Sequence, residues 1–374
     1  MIRVLHVISG LGSGGTEGVL ARMVSASTPD LSFGVVSLTD LGLYGAAIEN
    51  AGVPVWVARM PRGFPTWGYR KALKAAVTEF RPDVVSGWLY RGNMAALMAA
   101  RDAGGAPVVW NIRHSLHDWE HERFLFRLTV RANLWNIDQP NLVIYNSHAA
   151  RDQHRDFGFL PREDRVIPNG FDLNRFRPDP EARRALRAEW GLDEEQIAVG
   201  LVARWHPVKN HSGFLEAAAA GLKVAPRTVF VLAGDGCDEK NSELAALISR
   251  HGLENNIRLL GRVDAVEKVT AALDLAVNAS FGEAFSNAVG EALACGVPCL
   301  ATAVGDSRRI IGENGWTVEP QALAEGLAAV LAPGREGLSA KARGARERME
   351  AEYRLDTMNE RFAEVFRTVK RRSE

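Results

Sequence analysis

Two basic side chains follow one short apolar run in the second half of the chain. Arg204 comes directly after the run VGLVA, and Lys209 follows five residues later, beyond Pro207. Because the run has the β-branched composition of a strand, both cations are expected at its carboxyl end. A guanidinium grips phosphate with a fork of N–H donors and an ammonium acts as a point charge, so this pair is suited to neutralise a diphosphate.

Two glutamates stand eight residues apart in the stretch NASFGEAFSNAVGEALACG. In helical geometry this spacing separates Glu283 from Glu291 by about 12 Å of rise. That distance is too large for one shared metal, or for a pair of glycosidase carboxylates, which lie roughly 5 to 10 Å apart. It suits the two ends of one extended ligand.

A helix predicted to begin around Phe285 would supply the middle of that ligand site. The first backbone N–H groups of a helix are unpaired and favour anions, so we expect a diphosphate at the amides of Phe285, Ser286 and Asn287. Glu291 would then reach a ribose diol on one side. Glu283 would reach sugar hydroxyls on the other.

A glycine-rich turn, GLGSGG, follows the first apolar run and precedes a helical pattern. Gly10, Gly12 and Gly15 have the spacing of a dinucleotide fingerprint, which by itself suggests a nicotinamide enzyme. That fingerprint also needs an acidic residue about 20 positions further on, and Asp40 comes too late. The backbone N–H groups of the turn remain suited to approach a phosphate or a sugar.

Short β-branched runs alternate with longer helical patterns along the chain, which predicts βαβ units and parallel sheets. The alternation restarts after residue 190, so we predict two Rossmann-like, doubly wound α/β domains over residues 1–172 and 173–353. Several prolines and glycines between Pro168 and Pro180 place the linker near residue 172. Ligands bind beyond the carboxyl ends of the strands in such sheets, so the two domains are expected to face each other across a cleft. The last amphipathic helix, in residues 354–374, could pack on either domain.

The composition excludes several classes of protein. With 374 residues, 47% apolar residues and 45 basic against 45 acidic side chains, the chain has ordinary globular composition. Its zero net charge lacks the basicity of a nucleic-acid-binding protein, and no nucleic-acid partner is predicted. Three cysteines without a second ligand pair predict a reduced, cytoplasmic protein with no zinc site. The first apolar run is too short for a signal peptide, and no apolar stretch of about 18 residues predicts a membrane span.

The motifs together resemble family 4 of the retaining glycosyltransferases, which adopt the two-domain B-type fold. The resemblance rests on GSGGTE, VIPNGFD, VGLVARWHPVKN, VFVLAGDG and the E-x7-E stretch from Glu283 to Glu291. It implies that Arg204 and Lys209 bind the donor diphosphate, that Glu291 binds the ribose and that Glu283 lies against the transferred sugar. It further implies that the final helix crosses back to the first domain.

The same resemblance implies the remaining site residues. The glycine turn at Gly14 and Gly15 would lie across the cleft, and backbone around Gly261, Arg262 and Val263 would bracket the base. A histidine that lines the family's sugar site matches His114, although its context here, WNIRHS, departs from the commoner pattern.

The resemblance implies a cytoplasmic glycosyltransferase of the hexosyltransferase type that transfers a sugar, with retention, from a nucleoside diphosphate to an acceptor hydroxyl. No Asp-x-Asp sequence is present, so fixed cations and helix dipoles would stabilise the leaving group without a metal or other cofactor. Polysaccharide or glycolipid assembly on a lipid-linked saccharide is the expected role. Two alternatives stay open: a nucleotide-sugar epimerase of the same architecture, and an NAD-dependent oxidoreductase built on GLGSGG.

The segment 120–135 has two interpretations. As a helix it places Arg123, Arg127 and Arg131 on one stripe, with Phe124, Phe126, Leu128 and Trp135 between and beside them. Such a helix could contact anionic lipid headgroups at the inner face of a membrane. It could equally be an ordinary amphipathic helix, with its apolar side in the core and its arginines in water.

Overall fold

The chain divides into two compact units in the computed structural model, which describes residues 1–26, 28–60 and 67–373. The first unit comprises Met1–Gly170 and Leu355–Glu374, and the second comprises Phe171–Arg354. The sequence prediction placed these boundaries at residues 172 and 353. Of the predicted last segment, residues 354–374, Glu374 lies outside the described residues.

The first unit is built on a seven-stranded parallel sheet of order β3-β2-β1-β4-β5-β6-β7. Its central strands are mostly apolar and buried, as expected for a parallel sheet covered on both faces. The last strand was not predicted, because its sequence DRV is short and charged. The strands are β1 (Ile2–Ile8), β2 (Leu31–Ser37), β3 (Val55–Val57), β4 (Val84–Trp88), β5 (Val108–Ile112), β6 (Leu142–Tyr145) and β7 (Asp164–Val166).

Helices connect these strands as βαβ crossovers, which bury their apolar sides against the sheet. They are α1 (Gly15–Ser25), α2 (Gly45–Asn50), α3 (Trp67–Phe80), α4 (Leu89–Asp102), α5 (Phe124–Trp135) and α6 (His148–Asp156). A 3-10 turn at Trp119–His121 precedes α5.

The second unit repeats the plan with a six-stranded parallel sheet of order β10-β9-β8-β11-β12-β13. Five of its strands coincide with the short β-branched runs from which the alternation of strands and helices was predicted. The sixth, β13, was missed because its sequence GWTV is brief and follows no clear turn signal. The strands are β8 (Ala198–Val202), β9 (Val229–Ala233), β10 (Ile257–Gly261), β11 (Leu275–Asn278), β12 (Cys299–Thr302) and β13 (Gly315–Val318).

The helices of the second unit cover both faces of this sheet, and their apolar residues form its two core clusters. They are α7 (Pro180–Glu189), α8 (His211–Val224), α9 (Ser242–Arg250), α10 (Val266–Ala271), α11 (Asn287–Ala294), α12 (Ser307–Ile311), α13 (Leu323–Leu331), α14 (Gly334–Ala342) and α15 (Ala345–Glu352).

The last helix, α16 (Leu355–Arg371), returns to the first unit. Its apolar stripe recurs every three or four residues and enters the core of the first sheet. Phe362 stacks on Trp88 at 5.8 Å between ring centroids, and Phe366 packs beside it. Arg367 binds Asp30 through two nitrogens, which fixes the outer side of the helix.

Candidate active site

Each sheet has one place where the strand order reverses, and several of the sequence-predicted residues follow the strands on either side of it. The reversal falls between β1 and β4 in the first sheet and between β8 and β11 in the second. In open parallel sheets, the loops that leave such neighbouring strands diverge and open a crevice at the carboxyl edge. Arg204 and Lys209 follow β8, and Glu283 follows β11, so the loops that carry them flank this crevice.

The loop after β8 is held by hydrogen bonds from its backbone to the loop after β9. The Ala203 N–H donates to the Ala233 carbonyl at 2.9 Å, and the Trp205 N–H donates to the Asp235 carbonyl at 2.7 Å. Gly234, at φ +150°, lies so close that a Cβ there would be 2.7 Å from the Arg204 backbone nitrogen. Arg204 thus has a fixed backbone and an exposed side chain.

Lys209 ends a short 3-10 turn, Pro207–Lys209, that directs its side chain toward β11. Its Nζ lies 2.5 Å from Oε1 of Glu283. Burial lowers the pKa of the neighbouring His206, and the charges of Arg204 and Lys209 lower it further. Because both cations lower the pKa of His206, the three side chains share one region of positive charge.

Glu283 is held in a loop that several hydrogen bonds stabilise. Its side chain is only 13% exposed, and its Oε1 also accepts a bond from the Ser280 hydroxyl at 2.8 Å. The Phe281 N–H donates to the Val208 carbonyl at 2.8 Å, which ties this loop to the Lys209 turn. Sequence reasoning missed Ser280, although its S-x-x-E spacing from Glu283 is a known hydrogen-bonding pattern.

Helix α11 begins at Asn287, two residues later than predicted. Ser286 is its N-cap residue, and the Asn278 side-chain amide donates to the Ser286 hydroxyl at 2.6 Å. The first turn of α11 therefore starts at residue 286, and the backbone N–H groups of that turn point out of the N-terminal end of the helix. Phe285 precedes this turn, and its ring is buried against Phe171.

The spacing argument for the two glutamates was wrong in one respect. Glu283 lies in the loop and only Glu291 lies in α11, so a helical rise over eight residues does not describe their separation. Glu291 is half-buried and lines a small cavity with Val202, Thr270 and Ala288. Its charge adds to burial in raising the pKa of the Cys295 thiol to about 12.

The segment predicted to bracket the base follows β10. The Gly261 N–H donates to the Cys237 carbonyl, and its carbonyl accepts from the Gly234 N–H. The amide hydrogen of Gly261 is thus already used within the protein. Arg262, which is exposed, and Val263, which is half-buried, are left as the residues of this segment that a base could contact.

In the first unit, the glycine turn leads from β1 into α1. Gly14 is the N-cap of α1, and Gly15 is its first residue. A Cβ on Gly14 would collide with the carboxylate of Glu17, which therefore covers the start of this helix. Since a carboxylate there opposes a second anion, the turn is better suited to sugar hydroxyls than to the pyrophosphate of NAD.

His114 lies just beyond the carboxyl end of β5, also in the first unit. Its ring contacts Phe126 and Tyr90 edge-on, at 5.0 and 6.2 Å between centroids. Burial lowers the pKa of His114, and Glu122, whose Oε1 is 3.4 Å from Nε2, opposes this shift. Glu122 fixes the orientation of the ring, and no sequence signal connects the two residues.

The segment 120–135 contains a helix only from Phe124 onward. Val130 and Asn133 are buried, whereas Phe124, Leu125 and Trp135 are 71%, 42% and 75% exposed. Phe126 and Leu128 are half-buried, as the ordinary amphipathic interpretation expects, whereas the exposed Phe124 and Trp135 depart from it.

No helix among the described residues is both long and apolar enough to cross a membrane. The cysteines Cys237, Cys295 and Cys299 are buried and unpaired. In the same part of the chain, no group of three or more His, Cys, Asp or Glu side chains has the arrangement of a metal site.

Two parallel-sheet α/β units, one of them carrying a cation pair and a carboxylate at its strand reversal, define a B-type glycosyltransferase fold. Two family models match the chain, one described as Glycosyltransferase Family 4 over residues 22–175 and one as Glycosyl transferases group 1 over residues 196–332. The chain belongs to this glycosyltransferase family.

Relatives and solved structures agree with that assignment. The EpsF protein of Bacillus subtilis is 27% identical over 317 residues, which cover 80% of this chain and 78% of that protein. A D-inositol 3-phosphate glycosyltransferase of Geodermatophilus obscurus is 34% identical over 266 residues, 65% of this chain and 58% of that protein. The structure of HepE from Anabaena in complex with UDP and glucose superposes with a TM-score of 0.83 and a sequence identity of 24%. The match covers 98% of this chain and 99% of that chain.

Proposed function

We propose that this glycosyltransferase is a retaining, metal-independent enzyme that transfers a hexose from a nucleoside diphosphate to an acceptor hydroxyl. The observation that carries the proposal is the cluster of Arg204, His206, Lys209 and Glu283 at the strand reversal of the second sheet. It combines positive charge for a diphosphate with a fixed carboxylate for a sugar. The epimerase and oxidoreductase alternatives lack support from the family models.

The diphosphate would lie between the two cations and the first turn of α11. Arg204 would bind it by a forked contact, Lys209 by point charge, and the N–H groups of residues 286–289 by hydrogen bonds. These groups stabilise the charge that develops on the leaving phosphate, which is the task a metal performs in other transferases. Glu291 would bind the ribose, and Arg262 with Val263 would contact the base.

Retention is best explained by substitution on one face of the sugar. The bond between the anomeric carbon and the diphosphate oxygen breaks while the acceptor oxygen attacks from the same side. The acceptor proton passes to the departing phosphate oxygen. Glu283 would hold sugar hydroxyls. His114, whose lowered pKa keeps it neutral at pH 7, would hydrogen-bond the sugar, and the backbone of Gly14 and Gly15 would contact it.

Uridine is the proposed base. The HepE structures, which share the fold of this chain, contain UDP, UDP with glucose, or UDP-glucose. Thermal-shift titration with UDP-, GDP- and ADP-glucose tests this point. The largest stabilisation is expected with the UDP-sugar, and no stabilisation by any of the three would count against the whole proposal.

We also propose a lipid-linked saccharide acceptor and a peripheral contact with the inner face of a membrane through residues 120–135, in polysaccharide or glycolipid assembly. Helix α5 presents Phe124, Leu125 and Trp135 outward, with Arg123 and Arg131 exposed beside them. Apolar side chains flanked by arginines match the boundary between acyl chains and anionic headgroups.

Turnover assays separate the alternatives. Product with an acceptor should keep the anomeric configuration of the donor by NMR, and EDTA should leave the rate unchanged. Conversion of the donor in the absence of any acceptor would indicate an epimerase instead. Stabilisation by NAD without stabilisation by nucleotide sugars would indicate the oxidoreductase.

A further inference from the structure

Arg113 is a buried cation at the carboxyl end of β5, and its side chain is only partly hydrogen-bonded. The residue is 6% exposed, and its Nη2 donates to the side-chain carbonyl of Asn169. Its guanidinium carbon lies 4.9 Å above the ring of Trp88. The other two nitrogens, Nε and Nη1, are buried and find no hydrogen-bond acceptor among the described residues.

The charges around Arg113 are positive and unbalanced. Burial lowers the pKa of Arg113 to about 9, with a further contribution from the charge of Arg22 in α1. Trp88 donates to His6, and burial lowers the pKa of His6 to about 3, so this histidine is neutral at pH 7. Arg113 forms no ion pair with a carboxylate in the described part of the chain.

A purely structural role does not account for this arrangement. Buried arginines are normally paired, because a guanidinium loses its hydration when it leaves water. Stacking on Trp88 recovers part of that loss, and one hydrogen bond to Asn169 recovers another part. The guanidinium still keeps two donors without an acceptor. For packing alone, a methionine of similar size at this position would be more favourable.

We propose that Arg113 binds an oxyanion carried by the acceptor, either a phosphate or a carboxylate. This inference rests on the proposed function, since it names the class of acceptor. His114, the residue proposed to contact the sugar, is the next residue in the chain, so both residues belong to the segment that leaves the carboxyl end of β5. The proposed acceptor anchor and the proposed sugar contact thus lie on one loop.

The test measures anion binding while the donor site is filled. Protein saturated with UDP is titrated calorimetrically with inorganic phosphate and, separately, with acetate, so that the two kinds of oxyanion are distinguished. The stronger ligand should bind at least tenfold more weakly to the Arg113→Met variant. It should bind unchanged to Arg101→Met, a control at an exposed arginine on α4. The melting temperature of ligand-free Arg113→Met should equal or exceed that of the wild type.

The opposite results would overturn the proposal. If phosphate binds the wild type and Arg113→Met with the same affinity, and acetate does so too, Arg113 binds no oxyanion. If the methionine variant does not fold, Arg113→Lys is used instead, because it keeps the charge and loses the forked donors. An affinity for the stronger oxyanion at least threefold weaker than that of the wild type supports the proposal. An unchanged affinity overturns it. Absence of UDP binding in the wild type would instead refute the proposed function.

Discussion

The ammonium of Lys209 lies 2.5 Å from the carboxylate of Glu283, across the reversal point of the second sheet. These two side chains are proposed to serve different parts of the donor, yet they neutralise each other. A diphosphate that reaches Lys209 would compete with Glu283 for its ammonium. Donor binding would then free the Glu283 carboxylate for the sugar.

This exchange predicts different effects of two substitutions. Lys209→Ala should lower kcat by roughly 100- to 1000-fold, as expected when one group that stabilises a leaving charge is lost. Glu283→Gln should also lower kcat, but its affinity for UDP should equal or exceed that of the wild type, because Lys209 loses a competing anion. Isothermal titration with UDP and steady-state rates measure both parameters.

The exposed Lys223 of α8 provides the control for Lys209, and its alanine variant should retain wild-type turnover. Near-normal turnover of Lys209→Ala, or weaker UDP binding by Glu283→Gln, would contradict the exchange.

Glu291→Ala should weaken the binding of UDP by about ten- to 100-fold, because hydrogen bonds to a charged group contribute roughly 1.5 to 3 kcal/mol. Glu325→Ala, at an exposed position of α13, is the matched control and should bind UDP normally. The comparison uses UDP alone, so an effect on the sugar does not enter. Equal dissociation constants for the two variants would remove Glu291 from the ribose site.

Gly305 packs closely against the backbone of the loop that carries Glu283. At φ +55°, it brings its Cα so close that a Cβ would lie 2.5 Å from the Glu283 carbonyl oxygen. Gly305→Ala should therefore displace Glu283 and lower kcat at least tenfold, besides a backbone strain of about 1 to 2 kcal/mol. Gly334→Ala introduces similar strain at φ +67° with no atom within 4 Å, so it should lose stability and keep its kcat. Equal kcat values for both variants would argue against this support.

Three buried histidines predict acid sensitivity. Burial lowers the pKa of His6 to about 3 and of His154 and His211 to about 4. Between about pH 6.5 and 4 the unfolded chain binds protons that the folded chain excludes, so the free energy of unfolding falls as the pH decreases. Each histidine contributes up to about 1.4 kcal/mol per pH unit. Urea unfolding across this range should show a shallower slope for His154→Gln than for His251→Gln, a control at a half-buried histidine.

Local patterns in the sequence are sufficient for the fold and for the second unit's share of the site. The runs VGLVA and LAVNAS extend one and two residues beyond the ends of β8 and β11, so the placement of Arg204 and Glu283 just after these strands could be predicted. The start of α11 could not, because the bond between Asn278 and Ser286 delays it. The contact of Glu122 with His114 depends on the conformation of the segment between them, which includes the 3-10 turn Trp119–His121. No residue spacing in the sequence predicts that conformation.

Helix α5 offers the last prediction, since its outward stripe is defined by helical geometry. Phe124 and Trp135 are eleven residues apart, which turns them to within about 20° of each other, and Arg131 lies between them on the same side. Sedimentation with phosphatidylglycerol vesicles should pull down the wild-type protein, and Phe124→Ser with Trp135→Ser should abolish this binding. Leu160→Ser is the control, because Leu160 is 72% exposed elsewhere in the first unit.

Charge and apolar burial should contribute separately to this membrane contact. Replacing both Arg123 and Arg131 by alanine should weaken binding to anionic vesicles by roughly 30-fold, given about 1 kcal/mol for each basic side chain near the surface. Binding to neutral phosphatidylcholine vesicles should change little, because only the electrostatic part depends on those arginines. Vesicle binding that survives both pairs of substitutions would place the membrane contact elsewhere. Self-association of the wild type that the two serine substitutions abolish, without any vesicle binding, would identify the stripe as a protein interface.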